Sequence, residues 1–279
     1  MSVSKKAKQR GEILDAIMRY HREQLPKIMR ATPMSDLRAL ATIAPEPVDF
    51  AAALQHDGVS LIAECKKASP SRGLMAPNYD AVRLAQAYVR AGASAISVLT
   101  DARHFQGSLE DLRDVREALD ATRKGRNVPV LRKDFIFHEY QIYEARAAGS
   151  DAVLLIAAVL GSGELKDLLA VVHELGMNAL VEVHRRDELE KVLPLNPRVV
   201  GVNNRDLQTF EVDFENTARL RDRIPGGIAV VAESGIRSGE DVQRLAQIGV
   251  DAILVGESLV RSRDPQAAAK TLVEAGRRR

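Results

Sequence analysis

From Val59 onward, short apolar runs alternate with longer stretches in which apolar residues recur at helical spacing. Runs of this kind are the mark of a parallel sheet built from strand-helix units. Eight units can be drawn, with strands predicted at Ser60–Glu64, Ala95–Leu99, Val128–Leu131, Ala152–Ile156, Asn178–Glu182, Val199–Val202, Ile228–Ala232 and Ala252–Val255. Helices are predicted between them at Asp80–Ala91, Leu109–Ala121, His138–Ala148, Gly163–Leu175 and Gly239–Ile248. Gly92, Gly149, Gly176 and Gly249 each follow a helix and precede a strand, where a helix C-cap favours a residue that turns left-handed freely. Eight units closing on themselves make an α/β protein of the (β/α)8 TIM-barrel class, with functional residues at the C-terminal ends of the strands. The competing architecture, a doubly wound open sheet, would carry G-x-G-x-x-G after its first strand, and this chain does not.

Before Val59 the pattern is helical. Ile13, Ile17, Met18, Leu25 and Met29 recur at roughly helical spacing across Glu12–Met29, and Pro33 with Ser35 opens a shorter helix through Leu40. One domain is therefore expected: an N-terminal helical extension, residues 1–57, packed on a catalytic barrel, residues 58–279. With 46% hydrophobic residues, a chain of 279 can bury a large core. Forty Lys and Arg against thirty-eight Asp and Glu leave a net charge of +2, which speaks against a dedicated nucleic-acid or membrane surface. Aromatic residues make up 4% and Trp is absent, which speaks against a platform for stacking bases. No apolar run has membrane-spanning length, and Met1–Arg10 is polar and basic without the apolar stretch of a secretory signal, so a cytoplasmic location is expected. The single cysteine, Cys65, can form neither an internal disulfide nor a metal cluster.

The strand ends carry the candidate chemistry. Side chains alternate between faces, so Leu131 and Lys133 share one face while Arg132 and Asp134 take the other. A lysine at one strand end is ordinarily a solvated charge. Here Glu64 and Lys66, Glu182, Asn203 with Arg205, and Glu233 end other strands in the same way. Opposite charges crowded at one barrel mouth shift one another's proton affinities, as acid-base catalysis requires. Cys65 falls on the face opposite Glu64 and is expected in the core, not as a nucleophile. His104, His138, His173 and His184 are scattered and none is expected to bind a metal. His184 alone lies near a strand end, on the face of Glu182, where a supporting role is expected.

Gly235 and Gly256 follow the seventh and eighth strands, each with a helical segment behind it, so backbone N–H groups can come close to an anion. Phosphate sites in these barrels sit there. The expected phosphate-binding set is Lys66, Ser69, Ser234, Gly235, Gly256 and Glu257, with the loop Ser69–Gly73 closing over the ligand from the first strand.

Six segments in order, Ile62–Ser71, Ser97–Asp101 with Phe105–Ser108, Leu131–Phe135, Val181–His184, Gly201–Leu207 and Ala232–Ile236, resemble the successive motifs of the indole-3-glycerol phosphate synthase family. The resemblance spans the chain. It implies a carboxy-lyase of tryptophan biosynthesis, which converts 1-(2-carboxyphenylamino)-1-deoxyribulose 5-phosphate to indole-3-glycerol phosphate, carbon dioxide and water. For that chemistry Lys133 is expected to protonate the substrate ketone as the ring closes. Dehydration needs an acid and a base, roles open to Lys66, Glu64 and Glu182; the family favours Glu182 as base, while the sequence does not separate it from Glu64. Asn203, Arg205, Glu233, Phe135 and Leu154 are expected to bind substrate. The iminium formed on closure is an electron sink within the substrate, so neither cofactor nor metal is expected. The expected partner is a small molecule carrying a phosphate and an anthranilate carboxylate, with no nucleic acid or membrane, on a monomer or weak homo-oligomer. Other readings are a different phosphosugar barrel enzyme, an isomerase or a Schiff-base aldolase using Lys133, and a non-catalytic barrel that binds a phosphorylated ligand. Cys65→Ser should keep most activity in a fluorescence assay of product formation; a large loss would point to cysteine chemistry.

Overall fold

The computed structural model describes residues 3–206 and 211–277, the first ten of these as backbone alone. Eight parallel strands close into a barrel: β1 (Ser60–Cys65), β2 (Ala95–Leu99), β3 (Val130–Lys133), β4 (Ala152–Ile156), β5 (Asn178–Val183), β6 (Val199–Asn203), β7 (Ala229–Glu233) and β8 (Ala252–Val255). Closure runs through Ser60–Ala63 of β1 lying beside Ala252–Val255 of β8. Strands β2, β4 and β8 have the bounds that the apolar runs predict. Strand β3 starts two residues later than expected, after a 3₁₀ turn at Gly125–Asn127 and after Pro129, which has no N–H to give a ladder. It runs on to Lys133 and so places the lysine inside the ladder.

The extension consists of helices α1 (Val3–Ala31), α2 (Met34–Ile43) and α3 (Phe50–Leu54). Outside the barrel lie α4 (Ala81–Ala91), α5 (Leu109–Asp120), α6 (Glu139–Ala147), α7 (Ser162–Glu174), α8 (Arg186–Val192), α9 (Glu215–Arg221), α10 (Gly239–Gln247), α11 (Glu257–Val260) and α12 (Pro265–Gly276). Helices α3, α8, α9 and α12 escape the pattern, the first three being too short to show a period, while α11 is the helical segment expected behind Gly256.

Alternation sorts the strand side chains into two cores. Ile62, Ala95, Leu131, Leu154, Leu180, Val231 and Leu254 fill the barrel. Leu61, Ala63, Cys65, Val130, Val153 and Val181 face the helices. Cys65 is fully buried in that outer layer, and burial pushes its thiol well above the ordinary value, as expected of a core residue and not of a nucleophile.

The extension does more than pack on the outside. Phe50, Ala51 and Leu54 of α3 are buried among the interior aliphatics and plug the barrel at the N-terminal ends of the strands. Asp49, which caps α3 through the Ala52 N–H, also accepts from Arg198, just before β6, at 2.8 Å and from Asn178, the first residue of β5, at 3.3 Å.

At the other end, α1 is clamped to the loop after β2. His21 Nε2 lies 2.7 Å from Asp101 Oδ2, and His104 Nδ1 lies 2.9 Å from the same oxygen. The Phe105 N–H donates to Asp101 Oδ1 at 3.2 Å. His104 is therefore part of a cluster, not an isolated residue as its sequence position suggests. Burial alone would raise the Asp101 carboxyl, but the hydrogen bonds from His21 and His104 outweigh it and push it down to about 2.

A carboxyl held below its ordinary 3.8 stabilises the fold above that pH and loses the contribution as pH falls toward 2. Asp101→Asn should therefore cost roughly 2 kcal/mol of unfolding free energy at pH 7. It should also flatten the acid limb of stability between pH 4 and 2, read by thermal melts. An unchanged acid limb would show that the clamp contributes nothing.

Candidate active site

On five strands an inward-facing position is followed two residues later by a polar group at the mouth. Ile62 leads to Glu64 and Lys66, Leu131 to Lys133, Leu180 to Glu182, Gly201 to Asn203, and Val231 to Glu233, because the strand period of two keeps each pair on one face. These residues line a cleft of about 540 Å³. Lys133 Nζ stands 3.6 Å from Glu182 Oε2 and 3.6 Å from Glu233 Oε2. Beside it, Lys66 Nζ lies 2.6 Å from Glu64 Oε1. Glu64, Glu182 and Glu233 are all buried.

The charges set one another's protonation. Burial alone would lower the Lys133 ammonium, but Glu233, Glu182 and Glu64 outweigh it and raise it, so Lys133 is a held cation. Glu233 moves far the other way: burial and the neighbouring Glu182 carboxylate push its carboxyl well above the ordinary value, and Lys133 offsets only part of this. Glu233 is thus drawn toward its protonated form beside a held ammonium. Burial would raise Glu64 too, yet Lys66 and Lys133 outweigh it and hold that carboxyl below its ordinary value.

Two glycines make room for this cluster. A Cβ at Gly201 would collide with Glu233 Oε1, and a Cβ at Gly256 would collide with Glu64 Oε1. Gly256 therefore opens space for the Glu64 carboxylate on its Cα side. Ser234 and Gly235 both have positive φ, 64° and 86°. For the serine this costs on the order of 1 kcal/mol, a strain that functional sites retain.

The cleft has two unlike ends. Ile13, Leu14, Ile17, Phe105, Phe135 and Leu154 form an apolar wall, with the two Phe rings 6.3 Å apart. At the other end Arg72, Arg205 and Arg237 gather around Glu257, whose carboxylate lies 3.0 Å from Arg72 Nε and 3.6 Å from Arg205 Nη2. Burial and the other two guanidinium groups lower Arg205, and Glu257 counteracts them.

All the residues nominated from sequence meet here: Glu64, Lys66, Ser69, Lys133, Phe135, Leu154, Glu182, Asn203, Arg205, Glu233, Ser234, Gly235, Gly256 and Glu257 line the cleft. Leu207 of the fifth motif lies outside the described residues. The sequence reading missed Asp101, Arg237 and the α1 wall as site residues. The wall had a signal, because Leu14, Ile17 and His21 follow one another at helical spacing on one face. His21, Asp101 and His104 are close enough to hold a cation. Their nitrogen-oxygen separations of 2.7 and 2.9 Å are those of direct hydrogen bonds, shorter than the roughly 3.3 Å between two ligands on one tetrahedral ion.

A family model described as indole-3-glycerol phosphate synthase matches residues 14–272. Relatives of that name include one from Dehalococcoides mccartyi, 47% identical over 94% of this chain and 100% of its own length. Another, from Mycobacterium ulcerans, is 46% identical over 95% of this chain and 94% of its own. Among solved structures, 3-hexulose-6-phosphate synthase from Salmonella typhimurium aligns with a TM-score of 0.61 and 13% identity over 78% of this chain and 98% of that one. Thiamine phosphate pyrophosphorylase from Pyrococcus furiosus aligns at 0.59 and 16% over 78% and 95%. At such identities these two share the barrel fold alone. No described helix is long and apolar enough to cross a membrane.

Gly201→Ala adds one methyl group against Glu233. It should lower turnover by about 100-fold, the scale of an ångström-sized misplacement of a reacting group. Circular dichroism and the melting curve should stay near wild type. Full activity in the alanine variant would show that the Glu233 position is not critical.

Proposed function

Because this chain belongs to the indole-3-glycerol phosphate synthase family and carries out its reaction in tryptophan biosynthesis, we propose how its residues divide the work. The substrate is 1-(2-carboxyphenylamino)-1-deoxyribulose 5-phosphate, and ring closure, loss of carbon dioxide and loss of water follow in turn. Lys133 is the acid of closure: as the aromatic carbon attacks the ketone, the ammonium donates to the oxygen that would otherwise become an alkoxide. The observation that carries this reading is the placement of Lys133 between Glu182 and Glu233, which keeps the lysine charged. The same charge disfavours a Schiff-base aldolase, which needs a neutral amine.

Closure places an iminium beside the departing carboxylate, and the electrons left by carbon dioxide flow into it. In the dehydration, Lys66 protonates the leaving hydroxyl and Glu182 takes the ring proton. Glu64 is the poorer base, since its ion pair with Lys66 and the nearby Lys133 hold it ionised. Asn203, Arg205 and Glu233 orient the sugar chain, while Phe135, Leu154 and the α1 wall hold the arene.

The phosphate takes the cationic end. It displaces the Glu257 carboxylate from Arg72 and Arg205 and is met by Lys66, Ser69 and the backbone at Ser234, Gly235 and Gly256. Glu257 serves through its main chain, because its carboxylate would repel the phosphate. In this reading residues 1–57 cap both ends of the barrel of residues 58–279, and the protein works in the cytoplasm as a monomer or weak homo-oligomer, without nucleic acid. The scheme calls for no cofactor, because the electron sink is the substrate's own nitrogen.

Lys133→Ala should lower turnover by roughly 100-fold or more, with a smaller change in KM, in a fluorescence assay of indole-3-glycerol phosphate formation. Glu182→Gln should fold and lose most activity. Borohydride with substrate should trap no adduct on Lys133. Near-normal turnover in the alanine variant would remove the lysine from the chemistry.

A further inference from the structure

Four guanidinium groups line the cationic end of the cleft, those of Arg72, Arg205, Arg237 and Arg261. One carboxylate, that of Glu257, bridges three of them. Its Oε1 lies 3.0 Å from Arg72 Nε and 3.5 Å from Arg261 Nη1, and its Oε2 lies 3.6 Å from Arg205 Nη2. The arginines come from the loops after β1, β6 and β7 and from the turn after α11. Like charges gathered from four connections repel one another: burial, Arg72 and Arg237 all lower Arg205, and Glu257 counteracts them. The Glu257 carboxylate is therefore a counter-ion held in common by separate loops.

The backbone that carries Glu257 is fixed. Leu259 and Val260 of α11 are buried, and the Ser258 hydroxyl donates to the Ile236 carbonyl at 3.2 Å, which ties α11 to the loop after β7. What can turn is the side chain, 27% exposed. Its partners fall into two sets. Arg72 and Arg205 belong to other loops of the cleft, whereas Arg261 stands four residues on from Glu257, at the end of the same short helix. That local pair can persist while the carboxylate leaves the other two guanidinium groups.

We propose that the Glu257 carboxylate is a built-in competitor of the substrate phosphate and sets how fast phosphorylated ligands leave. Before phosphate arrives, the carboxylate stands in for it between Arg72 and Arg205. A phosphate dianion brings twice the charge and three acceptor oxygens to the same guanidinium groups, so it takes them over and the carboxylate turns to Arg261. Substrate and product carry the same phosphate. A contact equally strong to both does nothing for the chemical step and holds the product back. The returning carboxylate re-pairs with Arg72 and Arg205 and offsets part of the phosphate's hold, which speeds release. This gives the side chain a role beyond the main-chain contact, and it rests on the reading of this end as the phosphate site.

The test uses the whole enzyme, with inorganic phosphate as competitor of substrate and the fluorescence of indole-3-glycerol phosphate to follow its departure. Glu257→Gln keeps the shape of the side chain and removes its charge. It should bind phosphate roughly fivefold more tightly, the upper range for one partly exposed ion pair. In stopped-flow displacement it should release product more slowly, with the larger share of the gain in that rate and a lowered KM. Glu257→Asp, which keeps the charge, should stay nearer wild type. Arg261→Gln removes the alternative partner, so it should weaken phosphate binding in the wild-type background and change little in Glu257→Gln. Equal weakening in both backgrounds would be a plain loss of positive charge and would overturn the exchange of partners. Unchanged phosphate affinity in Glu257→Gln would make the carboxylate idle, and lowered affinity would make it an organiser of the arginines; each overturns the competitor. Arg205→Gln locates a failure. If it binds phosphate as wild type does, the phosphate-site reading falls and the competitor with it; if it binds weakly while Glu257→Gln matches wild type, the competitor alone falls.

Discussion

The site depends on one ammonium held beside two buried carboxyl groups. Lys133 could not stay charged at that depth unpaired, and it offsets part of the push that burial and Glu182 give the Glu233 carboxyl. The three groups come from β3, β5 and β7, so no single element contains the unit. Closing the barrel in the correct register is what creates it, and β6, which carries Gly201, leaves the gap into which Glu233 fits.

The remaining parts of the molecule serve this cluster by closing the space around it. Helix α3 seals the barrel floor, and the α1 wall supplies apolar cover on one side of the cleft. The arginines at the opposite end balance Glu257 and leave a cationic region suited to a doubly charged group. Hydrophobic cover, charged centre and cationic end therefore occur in the sequence a flat aromatic acid with a phosphorylated tail would need.

Most of the barrel was legible because its signals are local. Alternation along Leu131–Lys133 or Leu180–Glu182 tells which residues share a face, and a glycine after a helix marks the return to the sheet. The polar strand ends could be collected into a mouth once eight units were counted. What stayed hidden depends on distance through the fold. Gly256 reads as an anion-binding glycine after a strand, and only the neighbouring strand shows that Glu64 fills the space beside it. His21 and Asp101 are 80 residues apart, and nothing in either local segment announces the other. Short helices such as α8 and α9 carry too few turns to display a period, and packing against the barrel decides them.

The reach of the extension's contacts has a consequence for how the chain is born. Asp49 binds Arg198, 149 residues further on, and Tyr140 donates to the Thr32 carbonyl across 108 residues. On the ribosome the extension emerges ahead of the barrel but meets a partner such as Arg198 only when most of the barrel has been made. At about 5–20 residues per second, that is a wait of roughly 10–30 s with the apolar faces of α1 and α3 unsheltered. The segment that finally stoppers the barrel is thus the one longest exposed to chaperones and to neighbouring nascent chains.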